Sequence, residues 1–291
     1  MIIVNEKHYV EQCLINHKLG DDPFRAINLI ARYLYHNRKI RGQALEDYLG
    51  RFIKTYSPPC QNRYVEWDTC IRKAAAHAPS HKVHDIHGVW ITNSELERIK
   101  LLRNKKMERV AFTMLCIAKL NNIKNADNNG WVNCETQEIF KLARVSITVN
   151  ERFQMLGDLK LLGLLEFPKR NGNLNNRVTF IDDGSKKMLL IRDFRELGYE
   201  YLKYSGEKFT RCKNCGILIR GNANNSVKYC RDCAEYKNIM DYSREFICVD
   251  CGKLFTSTKD GRPPIRCPEC SKNKANKDAA NRMNRMRKRQ D

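Results

Sequence analysis

Eight of the 13 cysteines stand as four C-x-x-C pairs between residues 212 and 270, in "CKNCGILIRGNANNSVKYCRDC" and "CVDCGKLFTSTKDGRPPIRCPEC". Two thiolates across such a gap can share one metal ion, because a tight turn brings their sulfurs to about 4 Å, close to the edge of a tetrahedron built on roughly 2.3 Å metal–sulfur bonds. In a reducing compartment this array reads as metal ligation rather than as disulfides or redox pairs. The simplest closure joins Cys212, Cys215, Cys230 and Cys233 in one site and Cys248, Cys251, Cys267 and Cys270 in the other; an interleaved pairing is also open topologically. Four thiolates leave no position for water, so two structural zinc ions are expected, and no histidine lies beyond His87 to build an open catalytic site.

The remaining chemistry is charge. Lys and Arg outnumber Asp and Glu by 53 to 33, and the net +20 points to a polyanionic partner, with nucleic acid the usual one. The excess is uneven: +4 over residues 1–90, +5 over 91–202 and +11 over 203–291, where two closed zinc sites would offset four. Past Cys270 come Lys272, Lys274, Lys277, Arg282, Arg285, Arg287, Lys288 and Arg289 against Asp278, a run suited to phosphates with little sequence preference. Other candidates are weaker. His77, His81, His84 and His87 with Cys60 and Cys70 could form a third metal site, but Pro79 interrupts the helix that would align the first two. Asp21 with Asp22 and Asp182 with Asp183 sit in turn contexts that suit capping, and no phosphate-binding loop, dinucleotide fingerprint or nucleophile elbow is present. Cys13, Cys60, Cys70, Cys116 and Cys134 read as small apolar fillers. No 18-residue apolar run or secretory leader is evident, so a soluble cytosolic chain in a bacterial host is expected.

A mainly α chain must position these groups. Residues 1–90 read as a helical domain: Asp22 caps, Pro23 opens, and Phe24, Ile27, Ile30 and Leu34 recur at helical spacing. "GQALEDYLGRFIKTY" and "NRYVEWDTCIRKAAAHA" repeat the pattern, with Asn62 as cap. Residues 91–184 form a second unit, opening with a two-part helix over 94–120 whose capping box is read at Ser94 and Glu97. Then follow a short strand at Trp131, a helix over 135–143, a turn at Arg144 to Ser146, and a helix that Thr148 and Glu151 cap and that buries Phe153, Leu156 and Leu159. "GLLEFPKRNGNLNNRVTFID" reads as strand, polar loop, strand. A linker helix (185–204), two fingers (205–240 and 241–272) and a basic helical or disordered tail (273–291) complete the chain.

The order of elements over about 105–182 resembles a winged-helix domain. That resemblance implies a third helix in the major groove through Thr148, Asn150, Arg152 and Gln154, with Arg144 at the turn and Lys169, Arg170 and Arg177 on the wing against phosphates. Each cysteine block resembles a zinc-ribbon or treble-clef finger, and the modular order is similar to that of uncharacterised phage and mobile-element proteins. The expected function is that of a non-enzymatic, zinc-containing DNA-binding regulator of transcription or replication. Two alternatives stay open. One is a protein-binding inhibitor or adaptor on a nucleic-acid enzyme such as RNA polymerase or a defence nuclease. The other is an RNA-binding protein, with Phe209, Tyr229, Tyr236, Tyr242, Phe246 and Phe255 available to stack bases.

Overall fold

A computed structural model describes residues 2–20, 22–56, 64–168, 175–221, 227–235, 244–257 and 264–287. The chain divides into two compact units, residues 1–207 and 208–291. No helix among the described residues is long and apolar enough to cross a membrane.

The first unit contains two cores. Helices α1 (Glu6–Asn16), α2 (Pro23–Asn37), α3 (Gln43–Tyr56) and α4 (Tyr64–His77) enclose Val10, Ile27, Ile30, Leu34, Leu45, Leu49, Ile53 and Trp67. Asp22 caps α2 as expected, accepting from the Arg25 amide at 3.1 Å. Phe24, expected to point inward, is exposed and stacks on Trp67 with ring centroids 4.6 Å apart. Position 24 precedes the buried stripe of α2 by one turn, so its ring covers the edge of the core instead of filling it.

The second core is built from residues 86–204 together with Val4. Strand β1 (Val89–Thr92) leads into α5 (Asn93–Lys100), and the expected break follows before α6 (Lys105–Lys124), the apolar axis of this half. Next come β2 (Trp131–Val132), α7 (Thr136–Leu142), α8 (Val149–Leu161), β3 (Leu165–Glu166) and β4 (Asn176–Val178). These three strands form one antiparallel sheet in the order β2-β4-β3. The capping box at the start of α5 is Thr92 with Glu95, not Ser94 with Glu97. Both pairs fit the S/T-x-x-E rule; the choice falls on Thr92 because β1 runs to that residue, pairing antiparallel with β5 (Lys187–Ile191).

Residues 185–204, expected as a linker helix, instead supply β5 and α9 (Leu197–Tyr204) to this core. Tyr201 is fully buried, its hydroxyl donating to Glu108 of α6 at 2.9 Å. Gly198 lies so close to the turn after α7 that a Cβ there would sit 2.0 Å from the Ala143 carbonyl oxygen. An ionic knot, buried at Lys119 and Glu95, ties the sheet side: Lys119 Nζ reaches Glu95 at 2.7 Å and the exposed Asp183 at 2.8 Å, and Glu95 also accepts the Asp182 amide at 2.9 Å. The two aspartates of this turn have separate duties, since Asp182 accepts from Ser94 and Ser185 at 2.5 Å each.

The second unit is a repeated hairpin. Strands β6 (Phe209–Arg211) and β7 (Leu218–Arg220) pair antiparallel, as do β8 (Arg244–Ile247) and β9 (Leu254–Ser257). Residues 231–235 are helical after the first hairpin. The second hairpin leads into α10 (Pro268–Arg287), so the expected basic tail is helical as far as it is described.

Candidate metal centres and the surfaces around them

Each C-x-x-C pair is built by local backbone geometry. The first pair sits at a knuckle in the hairpin. The Cys212 amide donates to the Ile217 carbonyl at 2.9 Å, and the chain turns through Gly216, whose amide donates to the Cys212 carbonyl at 2.9 Å. Gly216 has φ +72°, a left-handed conformation that costs glycine nothing, and Gly252 occupies the same place in the second finger at φ +69°. There the bonds repeat as Cys248 N–H to Lys253 (3.0 Å) and Gly252 N–H to Cys248 (2.8 Å). The second pair of each finger lies at a helix start, marked by Ala234 N–H to Cys230 (2.8 Å) and Ser271 N–H to Cys267 (2.9 Å). One further bond lashes knuckle to returning chain in each copy: Lys213 N–H to Lys228 at 2.9 Å and Val249 N–H to Ile265 at 3.0 Å.

These turns bring Cys212, Cys215, Cys230 and Cys233 together, and separately Cys248, Cys251, Cys267 and Cys270, with the four sulfurs of each group within 4.8 Å of one another. The simple closure therefore holds and the interleaved one does not. Cys215 Sγ lies 3.6 Å from Cys230 Sγ, and Cys251 Sγ 3.8 Å from Cys267 Sγ. Those spacings match the roughly 3.8 Å edge of a zinc–thiolate tetrahedron and exceed a disulfide bond of about 2.05 Å. Electrostatics agrees. Burial opposes ionisation of Cys212, but backbone amides of Cys215, Cys230 and Asn214 bring its thiol down to about 6. For Cys248 the Cys267 amide leads and, against burial, the Asp250 and Cys251 amides help to reach about 6. Other sulfurs move the opposite way: burial first, then neighbouring sulfurs, raise Cys215 and Cys230, and the Cys267 and Cys251 sulfurs raise Cys270. One thiolate per cluster is thus prepared by the backbone, and a divalent cation would favour ionisation of the raised thiols Cys215, Cys230 and Cys270. The donor set, its spacing and its amide support fit two zinc ions, which Cys212, Cys215, Cys230 and Cys233 and their four counterparts would hold. No protein-family model, curated protein or solved structure matches this chain.

Among the described residues these are the only two groups of metal-ligating side chains at bonding separation. His77, His81, His84 and His87 therefore do not assemble with Cys70, and Cys60 lies outside the described residues. His84 has a structural part: its carbonyl accepts the Glu6 and Lys7 amides and its own amide donates to the Glu6 carboxylate.

The residues that the winged-helix resemblance assigned to nucleic acid are distributed differently. Arg144 sits at φ +53° and forms a two-pronged ion pair with buried Glu196, which ties it to α9. Arg177 donates to Glu166 and to the Asn129 carbonyl at 2.9 and 2.8 Å. Thr148 caps α8 reciprocally with Glu151, as expected. Arg152 lies half-buried with its guanidinium 5.7 Å from the centre of the Phe140 ring, while Phe153, expected in the core, is 55% exposed. Of that set Asn150 and Gln154 remain as exposed polar groups on α8; Lys169 and Arg170 lie outside the described residues. On α10 every residue from Ser271 to Met283 is exposed, which includes Lys272, Lys274, Lys277 and Arg282. Arg285 and Arg287 continue the helix, and Lys288 and Arg289 lie outside the described residues. The sequence points to the Lys and Arg around the cysteines as partner contacts without singling out Arg211, Lys213 and Lys228. They flank the first cluster and are exposed, a grouping that only the knuckle's return bonds reveal.

Proposed function

We propose that this chain is a zinc-containing DNA-binding protein that regulates transcription or replication. The observation that carries the reading is α10, a helix whose first turn holds Cys270 of the second cluster and whose Lys272, Lys274, Lys277 and Arg282 are all exposed. A helix this polar buries no stripe of its own, and a polyanion supplies both its neutralisation and its packing partner. The exposed Arg211, Lys213 and Lys228 of the first finger extend the basic surface. In the first unit, the order α6, β2, α7, α8, β3, β4 around one antiparallel sheet is consistent with a winged helix presenting Asn150 and Gln154.

The test is fluorescence anisotropy of the zinc-loaded chain on duplex DNA across a salt series. Each neutralised phosphate contributes about −0.9 to the slope of log K against log salt. Changing Lys272, Lys274, Lys277 and Arg282 to Gln should flatten that slope by about 3 to 4. An unchanged slope and affinity refute the role of α10, and no duplex binding by the parent chain near physiological salt refutes the reading as a whole.

A second reading, a protein-binding adaptor, is favoured on α8. Val149, Phe153 and Leu161 lie exposed at four- and eight-residue spacings there, while Arg144 and Arg177 are held in ion pairs. Co-purification of a nucleic-acid enzyme with a chain that does not bind duplex would decide for it.

A further inference from the structure

The two fingers share a backbone and differ in the surface they place on it. Arg211 and Ile247 each precede the first cysteine, Lys213 and Val249 each follow it, and Lys228 and Ile265 each stand two residues before the third. The equivalence is physical as well as sequential, because the Lys213–Lys228 backbone bond of one finger is the Val249–Ile265 bond of the other. Three basic residues around the first cluster thus correspond to three aliphatic residues around the second. Those residues are open: Ile247 is 68%, Val249 63% and Ile265 57% exposed, and Leu254, the cross-strand partner of Ile247, is 62% exposed. Leu218, which stands where Leu254 does in the repeat, is 2% exposed. The first finger shows that the fold accepts Arg and Lys at these positions, so the zinc site does not require the exposed aliphatics.

We propose that the second finger is a docking site for a segment of another protein that combines aliphatic with acidic side chains. Exposed aliphatic residues gathered by one knuckle mark an interaction surface. They neither neutralise phosphates nor offer a ring to a base, which sets this face apart from a nucleic-acid surface. The acidic character follows from Lys253, which lies in the turn between Ile247 and Leu254 and is exposed. The charge of the whole unit disfavours a second copy, since residues 203–291 carry +11, of which two zinc–thiolate sites would offset only four, and two such units repel. In this division the first finger keeps the phosphate-facing form of the surface, a half that rests on the DNA-binding reading; the docking half does not.

The experiment uses the zinc-loaded full chain against a display library of random short peptides, followed by anisotropy of the selected peptides. The comparison variant transplants the first finger's residues: Ile247→Arg, Val249→Lys and Ile265→Lys together. The expected result is selection of peptides that pair aliphatic residues with Asp or Glu, bound at least about thirtyfold more weakly by the variant. The variant should still hold two zinc ions and bind duplex DNA at least as well as the parent. If the triple change costs zinc, Val249→Lys alone gives the same comparison. No selected peptide, selection of basic or uncharged peptides, or equal affinity for parent and variant overturns the proposal. So does a variant that loses duplex affinity, which would assign the face to nucleic acid, or a parent dimer that the variant dissolves, which would assign it to a second copy. A parent chain that binds such peptides but no duplex sinks the DNA-binding reading and leaves the docking site standing.

Discussion

Removing the metal should unfold the second unit and leave the first intact. Beyond residue 207 the buried apolar side chains among the described residues are Cys212, Leu218, Cys248 and Cys267. Three of the four are ligands, so Leu218 is the one buried aliphatic group independent of the clusters. Its burial contributes about 1.5–3 kcal/mol, while fixing the backbone costs about 1–2 kcal/mol per residue. Two short hairpins cannot close that gap by their own packing, whereas structural zinc supplies about 10–16 kcal/mol of apparent binding energy per site. The first unit has two apolar cores and needs no such help. Limited trypsin digestion with and without a strong chelator reads the difference, since Lys and Arg are spread through residues 208–291. Zinc-loaded protein should resist cleavage at the hairpins. Chelated protein should collapse to a stable fragment ending near residue 207, with the helical circular dichroism of the first unit retained. Replacing Cys215 by Ser should expose the first finger and Cys251→Ser the second, because the two sets of four do not share ligands. Protected hairpins in chelated protein would refute the reasoning, as would a single cysteine change that released both metals.

Four further outcomes concern the first unit. Gly198→Ala places a methyl 2.0 Å from a backbone oxygen that cannot swing aside, and should cost about 3 kcal/mol or more in urea unfolding; Gly157→Ala on α8, where a Cβ meets nothing within 4 Å, should instead stabilise by about 0.5–1 kcal/mol. Lys119→Met leaves the fully buried Glu95 without its cation and should destabilise by about 3–5 kcal/mol, measured by thermal melting at neutral pH. Hydrogen bonds, first from Ser185 and then from Ser94, hold the Asp182 carboxyl down at about 2. A depressed carboxyl contributes its stability above the ordinary value near 3.8 and loses it as pH falls through about 2. Acid unfolding of the parent should therefore show a component in that window which Asp182→Asn lacks.

The metal centres were legible because their information is local: two residues between ligands and a glycine after the pair specify each knuckle without reference to the rest of the chain. Several features of the first unit were hidden for the opposite reason. The pairing of β1 with β5 joins residues nearly a hundred positions apart, and β1 also selects Thr92 over Ser94 as the cap of α5. Helical period could not say which overlapping stripe of α8 turns inward. Leu156 and Leu159 are buried on either reading, and Arg152, lying over Phe140, takes the half-buried place that Phe153 was expected to fill. Arg144 carried a plausible contact in sequence because Glu196, its partner, is 52 residues away.

The duplicated fingers add a different lesson. Their shared cysteine grammar conceals the contrast between Arg211, Lys213 and Lys228 on one side and Ile247, Val249 and Ile265 on the other, since each trio is contiguous only after the hairpin has closed. The shared backbone bonds of the two fingers show that the positions beside the ligands accept either basic or aliphatic residues, and the docking proposal assigns them to partner choice. The same scaffold used twice can then meet two chemically different surfaces. Exchanging the trios between fingers, with both clusters kept, should therefore move peptide binding to the first finger and leave zinc content unchanged.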